Sequence, residues 1–407
     1  MRLTVDRLGH LGDGIAGDVF IPFALPGEVV EGAVSAGRMA EPEIMLPSPD
    51  RVQPECPHYR SCGGCSLMHA SDRFLGGWKM DVVRKALAAQ GLEAAFRPIL
   101  TSPARSRRRA TLSGQRTKKG AIVGFHGRSS DTISEISHCR LLHPELVSVI
   151  PVLKQMVVLG ASRKARLALT ITISEGGIDL AVSGGKEVDS SLFPQLSILC
   201  GQAGIARLTW NDTVLLSFRP AAHWFGRALV TPPPGAFLQA TCDGEAALVG
   251  SVLEAVAEAG RVADLFAGSG TFSLPLAERA EVRAVEGQAE MLTALDAGWR
   301  EARALHRIET ECRDLFRRPL MPDELRRFDA IVIDPPRAGA EAQVSQIAAG
   351  CVPVVAMVSC NPVTFARDAR ILAHNGYVID WIQVVDQFRW SPHVELVARL
   401  HRQFTAG

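Results

Sequence analysis

No stretch of this 407-residue chain approaches 18 uninterrupted apolar residues, and the opening run MRLTVDRLGHLGDGIAGD lacks the apolar segment that directs secretion. No membrane partner is therefore expected, and the chain reads as cytoplasmic. Charge of one sign is equally scarce. A net charge of +1 excludes a strongly basic nucleic-acid coat while leaving room for a local basic patch. There is no internal repeat, and nothing in the pattern asks for an oligomer, so a monomer is expected. The length suffices for two or three domains with full cores.

Cysteine is sparse too, nine residues in all, yet three of them fall within ECPHYRSCGGCSLMH. In a reducing compartment such a cluster binds metal or reacts more often than it forms a disulfide. Cys56, Cys62 and Cys65 read C-x5-C-x2-C, and Cys139 follows 74 residues later. Structural zinc usually shows two close pairs. Three local thiols and one distant thiol instead suit a 4Fe-4S cluster held by four thiolates. His58, His69 and His138 keep a mixed zinc site open as the rival. The first gap of five does not match the C-x3-C-x2-C triad of radical adenosylmethionine chemistry.

Three regions follow from pattern. Residues 1–48 alternate short apolar runs with turn signals such as GDG and LPGE, in the manner of a small antiparallel β-barrel. Residues 49–235 hold the cysteines and strand-like runs such as RLALTITIS. They also hold the one conspicuous charge run, Thr101 to Arg128, with eight Lys or Arg and no acid. Its one-sided sign fits a phosphate track, with Arg107, Arg108 and Arg109 as the expected contacts. After TPPPG, residues 236–407 alternate strands and helices, the signature of a parallel α/β sheet.

Within that last region RVADLFAGSGTFSLPLA reads as strand, glycine turn and helix, but a third glycine, which a dinucleotide fingerprint needs, is missing. VRAVEG places Glu286 at a second strand end, where a carboxylate takes both hydroxyls of a ribose. ECRDLF offers Asp314, and RFDAIVIDPPRAG runs a strand into Asp334. Together these favour an adenosine-type ligand without a pyrophosphate, which S-adenosylmethionine matches. VPVVAMVSCNPVTF ends a strand at Cys360 before a helix capped by Asn361 and opened by Pro362. A thiol facing the positive end of a helix is expected to have a lowered pKa.

A thiolate beside a methyl donor has a use. Carbon 5 of a pyrimidine is a poor nucleophile until a thiolate adds to carbon 6, and a base must later remove the carbon 5 hydrogen. Glu395, a charge within the apolar run of FRWSPHVELVARL, is the candidate base.

This assembly resembles the RNA uridine-5 methyltransferase family over nearly the whole chain. LGHLGDGIAG with VFIPFALPGEVVEG is similar to the family's N-terminal TRAM domain, an OB-like RNA-binding barrel. CPHYRSCGGCSLMH with Cys139 resembles its 4Fe-4S ligand set. GAFLQAT resembles the segment whose glutamine, here Gln239, contacts the cofactor. The resemblance implies further cofactor contacts at Phe266, Thr271, Glu286, Asp314 and Asp334, a nucleophile at Cys360 in SCNPVT and a base at Glu395 in HVE. It implies an α/β fold with a C-terminal Rossmann-like class I methyltransferase domain, a central α+β domain with the cluster, and the barrel. The implied substrate is RNA, ribosomal ahead of transfer RNA. In DQFRWSPHVE, residues Arg389, Trp390 and Ser391 stand where several relatives have proline, histidine and threonine. A cytosine-5 methyltransferase and a non-catalytic iron–sulfur RNA-binding protein are the alternatives.

Overall fold

The computed structural model describes residues 1–128 and 130–403. The N-terminal segment forms two three-stranded antiparallel sheets. One pairs Arg2–Thr4, Val29–Glu31 and Glu43–Leu46; the other pairs Arg7–Leu8, Gly14–Ala16 and Val19–Ile21. Val5, Ala16, Ile21, Ala24, Val30 and Met39 share their core. Gly14 is required there, because a Cβ would lie 2.9 Å from both the Ala24 carbonyl and Val5.

Residues 109–217 build a seven-stranded sheet. Along Arg109–Arg116 the side chains alternate, Ala110 and Leu112 inward and Thr111 outward, the period of two expected of a half-buried strand. The helices Ile150–Gly160 and Leu192–Gln202 cover the apolar face, where Leu153, Met156 and Leu196 meet Leu112, Leu169 and Leu208. All pairings are antiparallel except Gly177–Ser183 with Ile205–Trp210, which the second of those helices joins as a crossover.

The C-terminal sheet has eight strands: β1 (Leu100–Thr101), β2 (Arg261–Leu265), β3 (Glu281–Glu286), β4 (Ile308–Cys312), β5 (Ala330–Ile333), β6 (Val354–Ser359), β7 (Tyr377–Asp386) and β8 (Glu395–Arg402). Their spatial order is β4-β3-β2-β5-β6-β8-β7-β1. The strands β2 to β6 are parallel, and β8 runs against both β6 and β7. Helices cover both faces, so the central strands read as unbroken apolar runs; β5 is buried at every residue. On one face α1 (Asp72–Ala88) sends Val83 and Leu87 into a core shared with Phe365 and Leu372 of α4 (Pro362–His374). On the other, α2 (Cys242–Ala255) and α3 (Ala289–Glu301) pack Leu248 and Leu295 against Val262, Val332 and Val397. Two elements from the first 101 residues, α1 and β1, are thus part of this C-terminal unit.

This topology fixes one edge. Strand order reverses between β2 and β5, and ligands of open α/β sheets bind beyond the strand ends at such a reversal. Because β8 is antiparallel, its first residue lies at the edge where β6 finishes: Ser359 pairs with Leu396, and Val385 with Glu395.

Candidate active site and cysteine site

Every strand end on that edge carries a polar side chain. Asp264, near the end of β2, is buried and accepts the Ser273 hydroxyl at 2.5 Å, while its second oxygen has no partner. Burial first, opposed by that hydrogen bond and helped by the charges of Asp334 and Glu286, pushes its carboxyl up to about 7. The turn that follows takes positive φ at Phe266 (64°), Gly268 (56°) and Gly270 (97°). At Gly268 a Cβ would meet nothing within 4 Å, so the turn opens onto free space, whereas at Gly270 it would press on Leu274 and Leu295 at 2.9 Å. Glu286 is half-buried and accepts the Gly268 and Gln288 amides, one on each oxygen, at 3.0 Å. Phe266 packs against Phe316 with ring centroids 5.4 Å apart, and Thr271 is half-buried one residue past Gly270. Asp314 is exposed and takes the Phe316 and Arg317 amides, so its described bonds stay within its own turn.

On the other side of the reversal, Asp334 follows β5, and burial pushes its carboxyl up to about 7. Cys360 follows β6 and is half-buried. Asn361 fastens this corner: its side chain accepts the Val363 amide at 3.1 Å and donates to the Arg337 carbonyl at 2.9 Å. The expectation of a lowered thiol pKa is reversed. Burial, then the charges of Glu395 and Asp334, hold the Cys360 thiol above its ordinary value against the pull of Arg337. The reason is that burial disfavours the thiolate and the charges of two carboxylates act on the sulfur, while Asn361, not the thiol, takes the open helix amide.

Glu395 is 4% exposed. Burial first, then Asp334, push its carboxyl up to about 8, opposed by a hydrogen bond from Gln387 and by Arg337. Gln387 in turn donates to the Gln239 side chain at 2.6 Å and accepts the Ala240 amide at 2.8 Å. Gln387 thus stands between Gln239 and the Glu395 carboxyl on which it acts. Arg337 reaches His393 at 2.9 Å, two residues before Glu395. Sequence reasoning missed Gln387, His393 and Asp264. Only the patterned density of DQFRWSPHVE signalled the first two, and Asp264 reads simply as part of a strand.

The three arginines expected on phosphate are turned inward instead. Arg108 is 7% exposed, bonds Glu245 at 2.6 Å and donates to the Gln239 carbonyl at 3.2 Å. Arg109 reaches the Gly235 carbonyl at 3.1 Å, and Arg107 lies 5.8 Å from the Phe388 ring. They fasten the central sheet to the C-terminal unit, a pairing invisible from a run whose partners lie more than a hundred residues on. Arg105, Lys118 and Lys119 remain exposed.

Cys56, Cys62, Cys65 and Cys139 line one small cavity together with Tyr59, Met68, Phe125, Ile136 and Leu141, and all four are free thiols. Backbone amides aim at two of the sulfurs: Gly64 at Cys62 (3.4 Å), and Leu141 and Leu142 at Cys139 (3.4 and 3.3 Å). Burial raises the thiols of Cys62, Cys65 and Cys139, and their mutual charge adds to it. No three His, Cys, Asp or Glu side chains among the described residues stand as a single metal ion would hold them. The neighbouring imidazoles are engaged elsewhere, His58 and His138 with Ser137 and His69 with Tyr59.

A largely parallel sheet with this strand order and acidic strand ends at the reversal is the fold of class I S-adenosylmethionine-dependent methyltransferases. The architecture is similar to that of the Pyrococcus abyssi tRNA (uracil-54, C5)-methyltransferase solved with S-adenosyl-L-homocysteine, at a TM-score of 0.75 and 23% identity over 98% of this chain and 99% of that one. The family model of tRNA (uracil-5-)-methyltransferase matches residues 302–403. An uncharacterized RNA methyltransferase of Mesorhizobium japonicum is 43% identical over 98% of both chains. The 23S rRNA (uracil(1939)-C(5))-methyltransferase RlmD of Halomonas elongata is 34% identical over 100% of this chain and 90% of its own length. The chain belongs to the RNA uracil-5 methyltransferase family.

Proposed function

We propose that the protein methylates carbon 5 of a uridine in ribosomal RNA, with Cys360 as the nucleophile and Glu395 as the base. The observation that carries this reading is the antiparallel β8, which brings a buried carboxylate to the strand end where the thiol stands. The ribosomal assignment leans on the 34% identical relative, whose name gives 23S rRNA as its substrate.

The chemistry follows from these two groups. The Cys360 sulfur bonds to carbon 6 of the uracil, its proton leaves to solvent or a neighbouring carboxylate, and the ring electrons move to the carbon 4 oxygen as an enolate. S-adenosylmethionine, when bound, supplies the electrophilic methyl group that the carbon 5 nucleophile needs. Glu395 then takes the carbon 5 proton, the electron pair reforms the carbon 5 to carbon 6 double bond, and the sulfur departs as thiolate. Charge orders the steps. Two anions side by side are costly, so the thiolate forms most readily while Glu395 is neutral, and Glu395 ionises more readily once the sulfur is a neutral thioether. Gln387 orients the carboxyl from its other side.

The cofactor site fits an adenosine ligand: an orphaned Asp264 oxygen, an open glycine turn and a ring at Phe316 that is 50% exposed lie along one edge. Gln239, Phe266, Thr271, Glu286, Asp314 and Asp334 would hold it. In the same way Cys56, Cys62, Cys65 and Cys139 would hold a 4Fe-4S cluster. Amides donating to sulfur favour thiolates, and a cluster, which spreads its ligands around a larger body, does not impose the closeness of a single ion. There the cluster would tether the central domain through these four residues and would carry no electrons. Residues 1–48 would be the OB-like RNA-binding unit, 49–235 the central domain, which lends α1 and β1 to the C-terminal unit, and 236–407 the methyltransferase domain.

The test is methyl transfer in vitro from labelled donor to ribosomal and transfer RNA of a strain lacking the gene. Label in 5-methyluridine of ribosomal RNA is expected. Label in transfer RNA alone, or in 5-methylcytidine, would overturn the substrate assignment.

A further inference from the structure

Residues 387–394 join β7 to β8, with Gln387 at one end and Glu395 just beyond the other. This connection is held from outside the C-terminal sheet at several points. The Lys79 ammonium, fully buried, bonds Asp386 at 2.5 Å and the Phe388 carbonyl at 3.2 Å. Arg389 reaches Asp72 at 2.6 Å and the Ser102 carbonyl at 3.2 Å. Trp390 adopts φ 59°, a left-handed backbone that a bulky residue takes only when its surroundings insist. Those surroundings are the cysteine site. The Trp390 carbonyl accepts the Leu67 amide at 2.9 Å, and its ring packs in one apolar cluster with Leu67, Met68 and Leu141, against which Cys56, Cys65 and Cys139 lie.

Arg107 stands between the two. Its amide donates to the Leu141 carbonyl at 3.1 Å and its carbonyl accepts the His143 amide at 2.9 Å, which ties it to the segment of Cys139. Its guanidinium is half-buried, sits 5.8 Å from the Phe388 ring, and makes its side-chain hydrogen bond to the Arg109 carbonyl. Phe388 passes the contact on, edge to face with His393 at 5.6 Å, and His393 meets Arg337 beside the Cys360 corner.

We infer that Arg107 is a positioning residue that couples the cysteine site to the proposed base. Bonded to the Cys139 segment and laid against Phe388, it holds residues 387–394, and with them Gln387 and Glu395, in register. The inference rests on the roles proposed above for Glu395 and the four cysteines. A backbone fixed to the Cys139 segment and a cation laid against an aromatic face join the two, and burial strengthens the attraction between cation and ring. Phosphate is not its partner in this arrangement.

The experiment uses the full-length enzyme, purified without oxygen, as wild type, Arg107→Met, Arg107→Lys, Phe388→Leu and the Arg107→Met/Phe388→Leu double variant. Amide exchange of the peptide covering 387–394 should speed up by about tenfold in Arg107→Met. Decay of the covalent RNA adduct, the step assigned to Glu395, should slow by about ten- to a hundredfold, while adduct formation and the affinities for RNA and donor stay within about threefold. Arg107→Lys should recover most of both, and the double variant should be no worse than the poorer single one, as for residues acting through one contact. If the methionine variant does not fold, the exchange measurement on Phe388→Leu decides alone, because loss of the ring must also loosen the loop. Weakened RNA binding with unchanged exchange and adduct decay would make Arg107 a phosphate contact and overturn the inference, as would multiplying effects in the double variant. Loop exchange is read without assuming which residue is the base or what the cysteines hold. A Glu395→Gln enzyme that releases product normally, or a wild type without iron, would therefore overturn those assignments separately.

Discussion

The strand-end site and the basic run from Thr101 to Arg128 are both built from charged residues, yet their fates in the fold are opposite. At the sheet edge, Glu286, Asp334, Cys360 and Glu395 all arrive at one rim, because each stands where a strand begins or ends and alternation of strand and helix dictates where those positions land. In the basic run the backbone is equally regular, a strand with period-two burial, but the side chains meant for RNA reach inward to Glu245, Gly235 and Phe388. A residue's place along a strand is local information. Which partner a long cationic side chain chooses is not, since its reach spans both faces of an interface and its carboxylate lies anywhere in the chain.

The largest effect that would sharpen this contrast lies at the rim. Cys360→Ala should lower turnover by at least about 10⁴-fold, since a nucleophile has no substitute in the site, while donor affinity persists. Arg108→Met comes next. Cutting one partner out of the buried pair with Glu245 should cost about 3–5 kcal/mol of stability in urea unfolding, without changing the salt dependence of RNA binding in the folded fraction. A changed salt slope with intact stability would return Arg108 to the phosphate track and erase the contrast.

Glu395 gives a prediction with a sign. Burial raises its carboxyl to about 8, so the fold binds this proton more tightly than the unfolded chain does, and the cost of ionising it grows from the ordinary carboxylate range up to about 8 and is constant above. Glu395→Gln should therefore melt roughly 2–5 °C higher than wild type near about pH 9 and nearly the same near about pH 5. Because Glu395 acts only after the methyl has moved and only when ionised, the rate of adduct decay, rather than kcat/KM, should rise with pH and level off by about pH 8. Smallest is the effect of the exposed lysines. Replacing Lys118 and Lys119 with alanine should flatten the salt dependence by about 0.7–0.9 log units for each phosphate no longer neutralised, and an unchanged slope would leave the run with no RNA contact at these positions.

What was legible in the sequence follows the same division. The parallel strands and their polar ends could be read from apolar runs stopping at Asp334 and Cys360, and the family resemblance from SCNPVT and HVE. The antiparallel β8, which alone brings Glu395 to Cys360, leaves no mark in its own residues; the run VELVARL looks the same in either direction. Nor does the helix rule for Cys360 survive, because burial, with two carboxylates brought in from elsewhere in the chain, outweighs a terminus adjacent in sequence. Gln387 was silent for a similar reason, an uncharged side chain whose importance comes from lying between Gln239 and Glu395.

In the proposed reaction Cys360 and Glu395 act on opposite sides of one covalent intermediate. Denaturing electrophoresis of Cys360→Ala and Glu395→Gln, after incubation with substrate RNA and methyl-labelled donor, separates their roles in a single gel. No adduct is expected from Cys360→Ala. Glu395→Gln should give a stalled protein–RNA species carrying the methyl label, with product release slowed by about 10²- to 10⁴-fold. A Cys360→Ala enzyme that still makes 5-methyluridine, or a Glu395→Gln enzyme that turns over at the wild-type rate without a labelled adduct, would contradict this division of roles.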